Sequence, residues 1–186
     1  GREIMVDEDG FDNFFLGVDF AEPHISANPS NATEYFNAFN INATHYTDNG
    51  FEWFFQTPGF GAVMRGDPVT AYDSLGNLYY ENMFGAGNIE GCKVIVSTDN
   101  GATWSPSVTA IAGVDKNWIA ADQTSGPYAN YVYTTMTAGS GTGRFARSTD
   151  LGLTWQATFQ PGNQNLPGMM VAVGPNVIGG DVPGGA

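Results

Sequence analysis

Apolar positions in this chain come in short alternating bursts, and no window carries them at the i, i+3, i+4 and i+7 spacing of an amphipathic helix. Alternation with a period of two sends side chains to opposite faces of a strand, so each burst predicts a short β-strand. In the middle of the chain four strands are expected, over 69–72, 78–83, 93–96 and 104–110, separated by turns rich in Asn, Asp and Gly. The first is rich in small residues, the second in aromatics. The same pair recurs on either side. Glu22-Pro23-His24-Ile25-Ser26-Ala27-Asn28 precedes Thr33-Glu34-Tyr35-Phe36-Asn37-Ala38-Phe39. Asp115-Lys116-Asn117-Trp118-Ile119-Ala120-Ala121-Asp122 precedes Asn130-Tyr131-Val132-Tyr133-Thr134-Thr135-Met136. A further first strand is expected over 168–174, closed by a Pro175-Asn176 turn. The pattern predicts an all-β chain built of repeated units of four short antiparallel strands.

Between the third and fourth strand of each unit lies one octapeptide. Ser97-Thr98-Asp99-Asn100-Gly101-Ala102-Thr103-Trp104 and Ser148-Thr149-Asp150-Leu151-Gly152-Leu153-Thr154-Trp155 agree at six of eight positions. A degenerate copy, Tyr46-Thr47-Asp48-Asn49-Gly50-Phe51-Glu52-Trp53, lies upstream, and the closing tryptophans are spaced at a constant 51 residues. The chemistry is that of a fastened hairpin turn. The Asp side chain accepts from nearby backbone N–H groups and the Ser or Thr hydroxyl adds a second local bond. Gly supplies the positive φ of a tight turn, and Trp packs its ring across it.

The motif resembles the Asp-box, or BNR repeat, written Ser-x-Asp-x-Gly-x-Thr-Trp, over roughly residues 20 to 180. Asp-boxes occur in sialidases, sortilin-like receptors, some glucanases and many secreted proteins. The resemblance implies a β-propeller of four-stranded antiparallel blades with these turns at its rim. On that reading Asp48, Gly50, Trp53, Ser97, Asp99, Gly101, Trp104, Ser148, Asp150, Gly152 and Trp155 hold structure and touch no ligand. The blades would span 22–66, 67–114 and 115–167, with 1–21 ending a preceding blade and 168–186 starting another. A propeller closes with roughly 4–8 blades. Together with the missing initiator Met, this predicts a processed or partial chain whose remaining blades come from sequence outside it or from other chains.

Composition narrows the function. The net charge is −13, and the six fixed cations, Arg2, Arg65, Lys93, Lys116, Arg144 and Arg147, do not cluster, which excludes a nucleic-acid surface. No apolar run reaches the roughly 18 residues of a membrane helix, so membrane insertion is not expected. Acidic, Lys-poor, Asn- and Thr-rich composition suggests a secreted or cell-surface protein. The single Cys92 makes no internal disulfide and is expected to be a small buried residue.

A ligand is expected where first strands begin, because loops from every unit converge there. This nominates Glu22, His24, Arg65, Asp67, Asp115, Lys116 and Trp118. The acid recurring at each unit start, as Glu22, Asp67 and Asp115, is expected to hold register, whereas Arg65, Lys116 and Trp118 break the repeat. The resemblance to sialidases implies three Arg on a substrate carboxylate, a Tyr–Glu nucleophile and an Asp acid/base. Only Arg65 has a plausible position, since Arg144 and Arg147 fall on a third strand. Arg65-Gly66-Asp67 spells an integrin tripeptide that three residues cannot make specific. Asp7, Asp9 and Asp12 gather hard oxygens of the kind Ca²⁺ takes, without EF-hand spacing. His24 and His45 have no metal-binding spacing, and Gly139-Ser140-Gly141-Thr142-Gly143 is a hairpin loop, because no helix follows it. The expected function is a non-catalytic extracellular module binding a glycan or protein, with no cofactor. The competing expectation is a fragment of a sialidase-like glycoside hydrolase.

Overall fold

The computed structural model describes residues 21–138, 144–159 and 167–174, and every regular element among them is a strand. The first sheet holds β1 (His24–Ala27), β2 (Tyr35–Phe39), β3 (Ala43–Thr47) and β4 (Phe54–Gln56). The second holds β5 (Met64–Tyr72), β6 (Leu78–Phe84), β7 (Gly91–Ser97) and β8 (Val108–Ala112). The third holds β9 (Asp115–Ala121), β10 (Val132–Thr137), β11 (Arg144–Ser148) and β12 (Gln156–Phe159). All three are antiparallel and run in sequence order, so each first strand is an edge strand.

The registers align the sheets residue by residue. Tyr35 faces Thr47, Leu78 faces Ser97 and Val132 faces Ser148 at matching ends of the second and third strands. The turn after each first strand is held by a matching side chain. Asp73 Oδ1 accepts from Leu75 N at 3.0 Å and Asn77 N at 2.9 Å, Asn28 Oδ1 from Ser30 N at 2.9 Å, and Asp122 Oδ1 from Thr124 N at 2.8 Å. These side chains mimic a backbone turn, so local chemistry sets each hairpin.

The sheets stack face to face with the second in the middle. Its strand β6 is buried on both sides, and the period of two divides it cleanly. Leu78 and Tyr80 pack with Phe36 and Ala38 of the first sheet, while Tyr79 packs with Ile119, Ala121 and Val132 of the third. Further along, Met83, Cys92 and Ile111 meet Met136 and Ala146. Burying a side chain of this size stabilises by about 1.5–3 kcal/mol, so these two interfaces hold the stack together. The first strands lie side by side, β5 packing against β1 and β9.

Three expected boundaries move. The strand expected over 104–110 begins only at Val108, because the motif turn runs through Trp104 and between it and the ladder only Ser105 bonds to the β7 backbone, its N donating to the Val96 carbonyl at 2.8 Å. The strand expected over 69–72 begins already at Met64, which pairs with Phe84. Residues 167–174 hold an isolated bridge at Gly174 in place of the strand expected over 168–174. That segment lies against the third sheet, where Thr135 Oγ1 donates to the Met169 carbonyl at 2.8 Å and Gly168 N to Thr137 Oγ1 at 2.9 Å. The expected segment 1–21 with Asp7, Asp9 and Asp12, the loop 139–143 and the turn at 175–176 fall, except for Ala21, outside the described residues.

Candidate functional site

The octapeptide turns fasten themselves as their chemistry predicts. Ser97 Oγ accepts from Gly101 N at 2.7 Å and Asp99 N at 3.2 Å, and it donates to Asp99 Oδ1 at 2.7 Å. Asp99 in turn accepts from Thr103 N at 2.8 Å and Thr103 Oγ1 at 2.6 Å. Ser148, Asp150, Gly152 and Thr154 repeat the set, with 2.8 Å from Gly152 N to Ser148 Oγ and 2.6 Å from Thr154 Oγ1 to Asp150. Against a burial that would raise them, these donors hold the Asp99 and Asp150 carboxyls below the usual carboxylate range. Acids bonded this fully to their own turn are poor candidates for chemistry.

The upstream copy is fastened by different residues. Thr47 Oγ1 accepts from Gly50 N at 3.0 Å, and Asn49 Oδ1 accepts from Phe51 N at 2.9 Å and Glu52 N at 2.8 Å. Thr47 is the residue that faces the start of β2, as Ser97 faces the start of β6, so this turn is one residue shorter. Asn49 therefore takes the part expected of Asp48. Asp48 instead accepts from Asn100 Nδ2 of the second sheet at 2.8 Å. Gly50 keeps its positive φ of 77°, and Trp53 is buried beside Tyr35 at 6.5 Å between ring centroids.

The two complete turns also seat one sheet on the one before it. Asn100 Nδ2 donates to the Thr47 carbonyl at 2.7 Å, and its Oδ1 accepts from the Tyr72 hydroxyl. At Gly101, φ 92°, a Cβ would stand 2.7 Å from the Phe36 ring; at Gly152, φ 82°, it would stand 3.0 Å from Val96. Trp104 spans the same boundary, edge-on to Phe36 at 5.4 Å and donating from Nε1 to Gln56 Oε1 at 3.2 Å. Trp155 packs against the cores of both the second and third sheets and donates to the Gly152 carbonyl at 3.2 Å.

Where the first strands begin, three of the nominated residues converge. Glu22, Asp67 and Lys116 occupy matching positions, each with positive φ, at 62°, 52° and 39°. Lys116 Nζ stands 2.9 Å from Glu22 Oε1 and 3.0 Å from Asp67 Oδ2. Asn40 completes the knot, donating to Glu22 Oε2 at 2.6 Å and accepting from Asp67 N at 2.9 Å. Hydrogen bonds from Asp67 and then Lys116 pull the Glu22 carboxyl down to about 2. Burial and the hydrogen bond to Glu22 push Asp67 up to about 6. Bonds to both acids raise Lys116 to about 12. Lys116 thus bridges two carboxyls from different sheets and fastens the three sheets at this end.

The recurring acid is thereby corrected. Asp115 is exposed and faces Thr137, the next ladder pair is Asn117 with Met136, and the extra residue in that bulge is Lys116. The third sheet thus offers a cation where the other two offer acids, and Asp115 stays outside the knot. Arg65, nominated as a ligand-binding cation, stands exposed beside the β6–β7 loop. Its Nε donates to the Gly85 carbonyl at 2.9 Å, and Nη2 donates to Ala86 at 3.0 Å and Gly87 at 2.7 Å. Nε and Nη2 of the guanidinium thereby hold the β6–β7 loop.

Trp118 and His24 line a groove of about 540 Å³ along β1, β5 and β9, bounded on the far side by Val171, Ala172 and Val173. Their rings meet edge-on at 5.4 Å. Burial lowers the His24 pKa, and its Nδ1 accepts from Thr70 N at 3.3 Å, which puts the proton of the neutral ring on Nε2. The edge of β5 is closed by side chains of both neighbouring sheets. His24 takes Thr70 N, Ser26 Oγ donates to the Thr70 carbonyl at 2.9 Å, and Gln123 Nε2 donates to the Tyr72 carbonyl at 2.7 Å. Sequence reasoning missed Ser26, Thr70, Asn40 and Gln123, because their role depends on which strands become neighbours.

One buried acid was also missed. Glu81 is fully buried between the second and third sheets, where its Oε1 accepts from Thr134 Oγ1 at 2.6 Å. Burial raises its pKa to about 7, against the Thr134 hydroxyl, the Asn117 amide and the Cys92 thiol that lower it. Cys92 is itself buried, with its thiol pushed well up and Sγ 3.6 Å from Met136 Sδ, so it is no nucleophile. His45 is buried between Phe39 and Phe55. Among the described residues no group of three His, Cys, Asp or Glu is placed to hold a metal. Compared with known families and with curated proteins, the chain matches no family model and no curated relative.

Proposed function

We propose that this chain is part of an Asp-box β-propeller, a non-catalytic module of a secreted or cell-surface protein that binds a glycan or protein. One observation carries the reading. The second sheet seats on the first as the third seats on the second, with a motif-turn glycine against the preceding sheet both times and the first strands side by side along one groove. A relation repeated twice is a rotation that further sheets can continue, and propellers close with about 4–8 of them. The missing sheets come from sequence outside this chain or from other chains. A structure of the complete protein should show a ring with the groove on its axis; a stack ending in unrelated elements would overturn the propeller.

The catalytic alternative has one observation in its favour. Glu22 and Asp67 have pKa values driven apart to about 2 and about 6, as an acid/base pair requires. Lys116 and Asn40 occupy both carboxyls, however, and Arg65 has no donor free of the 85–87 carbonyls except at Nη1. A sialidase needs three open guanidiniums, and among the described residues this end of the stack supplies only the Nη1 corner of Arg65. A fluorogenic sialoside offered to the protein should give no turnover. Turnover abolished by Asp67→Asn would replace the binding module with the hydrolase.

A further inference from the structure

Resting on the reading as a binding module, we propose that the groove along β1, β5 and β9 takes a neutral saccharide, with Trp118 as its stacking surface and Ser26, Thr70, His24 and Thr124 as its hydrogen-bonding rim. Size, charge and backbone satisfaction each narrow the ligand. The groove measures about 540 Å³, within the roughly 300–1,000 Å³ of small-ligand sites. Among the described residues that line it there is no Asp, Glu, Lys or Arg, and burial shifts its two titratable rings toward their neutral forms, lowering the His24 pKa and raising that of Tyr72. A sialate, phosphate or uronate would find no cation there and would be repelled by a chain of net charge −13. A cationic ligand would find no carboxylate.

A peptide adding as a strand on β5 is blocked as well. That mode needs free backbone groups on an edge. On β5, the middle of the groove, Thr70 N and O and the Tyr72 carbonyl are already bonded to His24, Ser26 and Gln123. What the groove still offers is a half-buried indole beside hydroxyls and an imidazole N–H. Ser26 Oγ and Thr70 Oγ1 lie 2.6 Å apart, and with the Ser26 proton on the Thr70 carbonyl the pair offers a guest its hydroxyl oxygens as acceptors. A sugar presents C–H faces to an aromatic ring and hydroxyls at its rim. A purely apolar guest would strand the hydroxyls, whose burial without partners is costly.

The test titrates the whole chain, by calorimetry and tryptophan fluorescence, with gluco-, manno- and chito-oligosaccharides, sialyllactose and an extended neutral peptide. At least one neutral oligosaccharide should bind, with an affinity that added salt leaves unchanged. Trp118→Ala should weaken it about tenfold, the equivalent of about 1.4 kcal/mol. Because Trp118 also packs on the core, Trp118→Phe serves as the second variant. It should keep the fold, checked by its thermal transition, and weaken binding by a smaller factor. Leu153→Ser, exposed on a motif turn and outside the groove lining, should bind as the parent does. Binding of sialyllactose or the peptide without any neutral sugar would overturn the groove proposal while leaving a binding module. Neutral-sugar binding indifferent to both Trp118 variants, or no neutral-sugar binding, would overturn it too. Hydrolysis of the bound sugar would sink the non-catalytic reading alone.

Discussion

The Asn100 amide nitrogen stands 2.8 Å from Asp48 Oδ1, joining two motif turns that belong to different sheets. The variable position of one turn therefore grips the turn before it, and sequence identity within the octapeptide gives no hint of this.

Asn100 should be worth more than a surface turn residue. Its side chain bonds the Thr47 carbonyl, Asp48 and the Tyr72 hydroxyl while buried. Asn100→Gly keeps the φ of 55° available and removes only those bonds, so urea unfolding should show a loss of about 1–3 kcal/mol. Asn100→Ala adds left-handed strain and should lose more. Parental stability in both variants would detach Asn100 from the sheet–sheet contact.

The three motif glycines should rank in a fixed order. Gly101→Ala meets the Phe36 ring at 2.7 Å, Gly152→Ala meets Val96 at 3.0 Å, and Gly50→Ala has nothing nearer than the Thr33 carbonyl at 4.0 Å. All three incur roughly 1–2 kcal/mol for the left-handed backbone. Overpacking adds a further ~1–3 kcal/mol at Gly101 and less at Gly152. Thermal unfolding should give Gly101→Ala as the least stable and Gly50→Ala as the most stable of the three.

Glu81 should make stability fall as pH rises. Its folded pKa, about 7, lies above its ordinary 4.5, so the folded state holds a proton that the unfolded chain has released between those values. The carboxyl costs nothing below pH 4.5, its penalty grows through the window to pH 7, and the penalty then levels off at about 3 kcal/mol. Glu81→Gln keeps the shape and removes the titration. Its unfolding free energy across this window should decline less steeply than the parent's by that amount; parallel curves would sink the assignment.

Arg65 should act locally. Lys has one charged nitrogen where Arg65 reaches three carbonyls, so Arg65→Lys should not restore the contacts. Hydrogen exchange by mass spectrometry should speed up at least about tenfold over the β6–β7 loop, with little change in the motif turns. Unchanged exchange there would return Arg65 to the pool of free cations.

By itself the sequence determined most of the strands, the repeat and the inner chemistry of the two complete turns, because all three rest on residues within a few positions of one another. Ser97, Asp99 and Thr103 bond to each other whatever surrounds them. Registers and neighbours needed the tertiary structure. Asp48 looked like the fastener of its turn until the pairing of Tyr35 with Thr47 showed that turn to be a residue shorter, passing the task to Asn49. Asp115 looked like the third acid until a bulge put Lys116 in its place. Lys116 then closed on Glu22 and Asp67, the former 94 positions away. Charge, burial and edge satisfaction are properties of which strands lie beside which, and only the stacking of the three sheets decided that.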